Sequence, residues 1–176
     1  MNVPLVNWDT RNLLFNHIGK AASGLLVGGD AEAPRRYFSC SVERLEIGII
    51  VNQPAHLPCV LAVPRSSRLF IGYDQSVAII DVTSIALLNT MLLEGVFFEF
   101  LPDYRRQQIL AIHELGVVAL SLSGNIVWRF ITPDIVENWQ VVDDCLSLTV
   151  MDQRDTITLN VADGKYCHFV ASRRNE

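Results

Sequence analysis

Carboxylates are the side chains most densely grouped along this sequence: Asp134, Glu137, the pair Asp143-Asp144, Asp152 and Asp155 fall in one short stretch. Two such groups facing each other across a substrate perform general acid–base or glycosidic chemistry, at separations that sequence does not reveal. Aspartate also stabilises turns by bonding its own backbone. A hydrolase with clustered carboxylates is therefore one functional reading, set against a surface of ordinary turns.

Other chemistry is poorly served by the spacing. Zinc ligation would draw on His56, Cys59, Cys167 and His168. Only His56-Leu-Pro-Cys59 has a useful spacer, and strand neighbours such as Cys167 and His168 point to opposite faces. The stretch from Gly19-Lys20 to Gly28-Gly29 has Leu14 where a phosphate loop needs its first glycine, and Ala21 where it needs Ser or Thr. No parallel βαβ pattern surrounds it. His17, His56, His113 and His168 offer general bases, but no Gly-x-Ser-x-Gly elbow marks a nucleophile. Ser121-Leu-Ser123-Gly124 reads as a strand running into a hairpin, and His113-Glu114 as part of a turn. The expectation is no metal and no cofactor.

Two longer segments, Phe97 to Arg106 and Phe130 to Trp139, mix aromatic rings with charge around a Pro-Asp pair. Rings with polar rims are what recognition surfaces use. Phe98, Asp103, Tyr104, Arg105, Asp134, Glu137 and Trp139 are accordingly the candidate binding residues. Phe98, Phe100, Ile135 and Trp139 also suit a core.

The elements that must position these groups belong to a folded chain of 176 residues, half of them apolar and 19% charged. That composition excludes intrinsic disorder and fits a single domain over residues 1–176 with one substantial core. A net charge of −5 disfavours nucleic acid and suits a basic protein partner. The apolar runs are too short to cross a bilayer, and Met1 to Phe15 lacks the layout of a secretory signal, so the expectation is a cytoplasmic protein without a membrane span. Cys40, Cys59, Cys145 and Cys167 are scattered. Cys40 and Cys145 sit in alternating patterns as small buried hydrophobes, and no disulfide is expected.

Strand-like runs recur at about forty residues. Arg68–Asp74, Gln108–Glu114 and Ser147–Gln153 are each followed by an alternating run, Ala78–Val82, Val118–Leu122 and Ile157–Val161, with Asp81, Ser121 and Asn160 in register. Period two buries one face. Turn sequences Thr83-Ser84, Ser123-Gly124-Asn125 and Ala162-Asp163-Gly164 come next, then third strands at Ile85–Leu88, Ile126–Phe130 and Lys165–Phe169. Upstream, Leu26–Asp30 echoes Phe70–Asp74, and Tyr37–Val42 with Leu45–Val51 completes a divergent fourth unit. A helix is expected over Asp9–Gly19, capped by Asp9 or Thr10, and Ser84–Leu93 carries a competing helical pattern.

This unit, clearest in Gly116–Trp128, resembles the blades of quinoprotein-type and WD-type β-propellers. The blade-ending Trp-Asp pair is absent, and Trp128 has no tryptophan counterpart at Leu88 or Cys167. The resemblance thus implies an architecture and no activity. It implies a mainly β, antiparallel fold of blade-like units at about 24–60, 68–105, 108–144 and 145–170, a small four-bladed ring. Glu94–Gln107 and Thr132–Asp144 would each supply an outer strand, and Val3–Trp8 would close the last blade. A β-sandwich or barrel is the alternative reading. In function, the leading expectation is a non-catalytic protein-binding domain, such as an acidic cytosolic antagonist of a basic protein, of the immunity type. A small-ligand binding protein is a further alternative, recognisable by an enclosed apolar pocket.

Overall fold

The structure is a computed structural model, and it describes residues 1–29, 35–53, 56–64, 66–151 and 156–167. Strands dominate. The first sheet comprises β1 (Val6–Trp8), β2 (Gly24–Gly28), β3 (Arg36–Val42) and β4 (Leu45–Val51), with α1 (Arg11–Lys20) between β1 and β2. The second is β5 (Cys59–Ala62), β6 (Arg68–Tyr73), β7 (Ser76–Asp81) and β8 (Ala86–Leu92). The third is β9 (Phe97–Asp103), β10 (Gln108–His113), β11 (Gly116–Ser121) and β12 (Ile126–Ile131). The fourth is β13 (Val136–Val142), β14 (Cys145–Val150) and β15 (Ile157–Asn160).

Sheets 2 to 4 are antiparallel meanders in chain order. The repeated three-strand pattern is complete in sheets 2 and 3, whereas in sheet 4 the expected third strand at Lys165–Phe169 is reduced, among the described residues, to the bridge of Tyr166 with Leu159; the turn residues act as the alignment implies. Asp81 Oδ1 accepts the N–H groups of Thr83 and Ser84 at 2.8 and 3.0 Å, Ser121 Oγ accepts that of Asn125 at 3.0 Å, and Asn160 Oδ1 accepts that of Ala162 at 2.8 Å. The Ser84 N–H, with Arg68 and Thr83 acting against desolvation, holds the Asp81 carboxyl down at about 2. Segments 94–107 and 132–144 supply β9 and β13, which open the sheet that follows them. Within Ser84–Leu93 the structure has a strand, not a helix: β8 pairs with β7 along its length apart from a bulge at Leu88, and this pairing overrides its helical spacing. The expected helix forms, with Thr10 as N-cap accepting from the Leu13 N–H at 3.3 Å, and it runs one residue past Gly19.

Sheet 1 departs from the repeat. Its order is β1-β3-β4-β2, and β2 runs parallel to β4. Parallel pairing needs a crossover, and α1 provides it by carrying the chain from β1 over the sheet to the far edge. Leu26–Asp30 is therefore not the counterpart of Phe70–Asp74: β2 is an edge strand, β6 an inner one, and Asp30 lies outside the described residues. The βαβ pattern not seen around the glycine-rich stretch does exist. Those glycines follow the helix, so its N-terminus does not face them.

Alternation builds the core between sheets. Leu69, Ile71, Ala78 and Ile80 of sheet 2 face Ile47, Ile49 and Val51 of sheet 1, while Phe70, Val77 and Ile79 face Ile109, Ala111, Val118 and Leu120 of sheet 3. Leu110, Ile112, Val117 and Ala119 then face Leu146, Leu148 and Leu159 of sheet 4. At Gly72 a Cβ would run into the ring of the buried Phe97, so glycine there permits the close approach of β6 and β9.

Both ends of this stack are closed off. The outer face of sheet 1 is covered by α1, with Leu14 and Ile18 against Ile50. The outer face of sheet 4 is a polar ladder in which Gln140, Ser147 and Thr158 pair across, beside Asn138 with Thr149 and Cys145 with Asn160. Among the described residues no apolar cluster joins sheet 4 to sheet 1. The blades stack as in a propeller, but in an open row rather than a ring. Val3–Trp8 accordingly does not close the last blade: β1 pairs with β3, and residues 1–3 bond the edge of β5 through Val3 N–H to Val60 O at 2.9 Å.

A second correction concerns the cysteines. Cys145 and Cys167 form a disulfide with Cα atoms 6.8 Å apart, because the antiparallel pairing of β14 with β15 and the Leu159–Tyr166 bridge after it fold their separation of 22 residues into adjacent chains. Cys40 and Cys59 are free, and burial pushes the Cys40 thiol up to about 12.

Candidate functional site

Strand direction sorts the candidate residues into two groups. β9 and β13 both begin at the end of the row that carries the turns Asp74-Gln75 and Glu114-Leu115, and both finish at the opposite end. Phe98, Asp134, Glu137 and Trp139 belong to the first end. Asp103, Tyr104 and Arg105 belong to the second.

At the first end the opening strands of sheets 3 and 4 bring Phe98 and Trp139 together, stacked with ring centroids 5.4 Å apart and an interplanar angle of 11°. His56, from the connection between sheets 1 and 2, has its ring centroid 5.4 Å from that of Phe98. The three rings come from separate segments of the chain. Phe98 and Trp139 pack partly into the core beneath, as the core reading of these two rings expects. Asp134 is committed to its loop: its carboxylate accepts the Ile135 N–H at 2.7 Å and its carbonyl accepts the Thr132 hydroxyl at 2.7 Å. Glu137 is exposed, beside a bulge in the β13–β14 pairing.

Two aligned acids hold this end in place. The Asp74 carboxylate accepts the N–H groups of Asn52 at 2.9 Å and Gln53 at 2.9 Å, and its carbonyl accepts the Phe97 N–H at 2.6 Å. The Glu114 carboxylate accepts the Val96 N–H at 3.3 Å, and its carbonyl accepts the Val136 N–H at 2.7 Å. Each acid thereby ties the segment before its sheet to the strand after it. His113, expected in a turn, instead ends β10 with its side chain fully buried, because it pairs with both Phe97 and Gly116. Its Nε2 lies 3.7 Å from Glu94, which in turn binds Arg129 at 3.2 Å.

At the second end Arg106 binds Asp103 at 2.7 Å and also Asp144, linking sheet 3 to sheet 4. Burial pushes the Asp103 carboxyl up, but the side chain and N–H of Arg106 outweigh it and leave it below its ordinary value. Tyr104 Oη receives the Met1 ammonium at 3.5 Å. Arg105 is exposed and lines a cleft of about 380 Å³ between the two sheets, with Leu101, Leu110, Val141 and Val161 as its apolar wall.

The carboxylates do not converge. Asp134 and Glu137 sit at the start of β13 and Asp143 and Asp144 beyond its end, roughly 20 Å away at the usual rise of an extended strand. Asp152 and Asp155 lie outside the described residues. The proposed zinc ligands are equally apart, with His56 against Phe98, Cys167 bonded to Cys145, and His168 outside the described residues. Ser121 and Ser123 bond each other at 2.8 Å within their hairpin. Sequence reasoning missed His56 as a neighbour of Phe98, and Arg106 as the link between sheets. Both act across distant segments, and no local pattern signals either.

No protein-family model matches the chain, and no curated protein does. Among solved structures it is similar to apo AztD from Citrobacter koseri, at 15% identity over 84% of this chain and 45% of that one, with a TM-score of 0.48. It is also similar to the β-propeller domain of Cps50 (Swd1) from Myceliophteria thermophila, at 10% identity over 76% of this chain and 52% of that one, TM-score 0.47. BamB from Moraxella catarrhalis aligns at 13% identity over 94% of this chain and 50% of that one, TM-score 0.45. The chain spans about half the length of these three.

Proposed function

We propose that the chain is a non-catalytic binding scaffold that holds a basic protein against the end carrying His56, Phe98 and Trp139. The observation behind this reading is the coincidence there of three neighbouring aromatic rings with the carboxylates of Asp74, Glu94, Glu99, Glu114, Asp134 and Glu137. Arg129, bound to Glu94, and Arg36, opposite Val51 beside the Asp74-bound Asn52, are basic side chains that the described residues set at the same end. Rings rimmed by negative charge offer a basic side chain both a π face and a counter-charge. The net charge of −5 acts in the same direction. In its most concrete form the scaffold is an antagonist that covers the working face of a basic protein.

The test is affinity capture from native extract with paired variants. Glu137→Lys and Trp139→Ala should release a basic polypeptide that the native chain retains, and added salt should release it too. Asp143→Asn, at the other end of β13, should leave retention unchanged. Equal loss at both ends would contradict the reading.

The cleft beside Arg105 favours a second reading, a small ligand held against the apolar wall of Leu101, Leu110, Val141 and Val161, with Arg105, Asp103 and Asp143 among its polar lining. A small molecule that raises the melting temperature of the native chain but not of Arg105→Ala would support it.

A further inference from the structure

Among the strands at sheet edges, β8 is weakly protected. It bonds only β7, leaving one side of its backbone open. Ala86–Leu92 contains no charged residue and no proline, two of the devices that usually keep an edge from pairing, and its one other such device is a bulge near its start; β12, the edge of sheet 3, has Arg129 at its middle. Leu87, Leu88 and Leu92 are 44%, 47% and 78% exposed, and Leu92 is the most exposed large apolar side chain among the described residues. The one irregularity of β8 is the bulge that skips Leu88 against Ile79 and Ile80, and Asn89–Leu92 beyond it is regular.

We infer that β8 pairs antiparallel with the β8 of a second copy of this chain, joining two four-stranded sheets into one of eight. The strand is self-complementary in a way that a foreign strand need not match. With Thr90 opposite its own counterpart, Leu88 of each copy falls opposite Leu92 of the other, and Asn89 falls opposite Met91. Apolar pairs and Thr–Thr pairs directly opposite are the favourable cross-strand contacts of such a seam. A two-fold axis through Thr90 gives a closed dimer, since each copy offers the same patch. No acid or base lies within the seam to oppose the approach of two acidic molecules.

The surroundings leave room for the second strand. β8 is bordered by a groove towards β2, with a recess of about 560 Å³ at one end lined by Leu26, Leu87, Thr90 and Leu92 and, further in, by Asn52 and Asp74. A second recess of about 660 Å³, lined by Leu45, Val82 and Ile85 with Glu43 and Arg44, lies at the other. In the inferred register Leu92 of the second copy lies opposite Leu88, three residues along the chain from Ile85. That residue is kept in a left-handed conformation, φ 54°, which a branched side chain disfavours. Counted from the aligned Asp81 and Asn160, the same place in sheet 4 is held by Gly164, φ 70°. A branched apolar group retained at a glycine position beside the seam fits a contact made there by another molecule.

Sedimentation equilibrium of the full chain tests this. The native chain is expected to have the mass of two copies, and Leu92→Lys, which places charge in the seam, to weaken association by about tenfold or more. Leu88→Glu should act in the same way. Because Leu92 is exposed, its variant should keep the native circular-dichroism spectrum, and Ile131→Lys on the edge of sheet 3 should remain dimeric. A native chain with the mass of one copy at every concentration overturns the inference, including the case of a foreign strand on β8. A dimer that survives both β8 substitutions also overturns it.

Discussion

Among the described residues His113 has no hydrogen-bond partner on either ring nitrogen. Burial pushes its pKa down; Glu94 pulls it back up, Arg129 pushes it further down, and Glu114 raises it, with a net fall below the ordinary 6.5. Below that value the unfolded chain binds the proton and the folded chain resists it, so stability falls as pH drops from about 6.5 through the lowered folded value. Thermal melts should show this acid slope in the native chain and a shallower one in His113→Leu. The cysteines make a second prediction at this scale. Denatured without reductant, the protein should titrate as two free thiols, Cys40 and Cys59, and as four after reduction. Four thiols before reduction would refute the Cys145–Cys167 bond and fit a reducing compartment.

Hairpins carry the regularity of the fold, and two positions within them should respond in opposite directions. Gly124 lies at φ 94°, with Ile79 beside the place its Cβ would take, so Gly124→Val should destabilise by about 1 kcal/mol or more in a denaturant titration. Ile85→Gly relieves a left-handed branched residue and should stabilise the monomer by about 1 kcal/mol. Both turns were readable from the sequence, because Asp81, Ser121 and Asn160 recur before turn residues and act on the local backbone. Thr10 was readable as a cap for the same reason. The disulfide, the crossover through α1 and the approach of His56 to Phe98 were not. Each depends on which edges meet after the sheets form, and alternation of apolar residues says nothing about that. Ser84–Leu93 shows the converse: its spacing fits a helix, and pairing with β7 decides.

Across the whole molecule, the same alternation that fills three layers between sheets stops at the two outermost faces. Leu14 and Ile18 cover one, and a ladder of Gln, Ser and Thr finishes the other. A row with finished ends does not need to close on itself to bury its apolar surface, as in other stacked-repeat folds. What the row gains is a pair of unlike ends: one acidic and aromatic, the other tied by the Asp103–Arg106–Asp144 link. The candidate residues Asp103, Tyr104 and Arg105 therefore cannot share a surface with Phe98, Asp134, Glu137 and Trp139, although the sequence treats their two segments as equivalents.

That division is open to direct measurement by mapping amide chemical shifts of the labelled chain during titration with a lysine-rich peptide. Shifts confined to His56, Phe98 and Asp134–Trp139, fading as salt is added, are the predicted result. Shifts centred on Tyr104–Gln107 and Asp143–Asp144, or none at any concentration, would contradict a scaffold that binds through its acidic aromatic end.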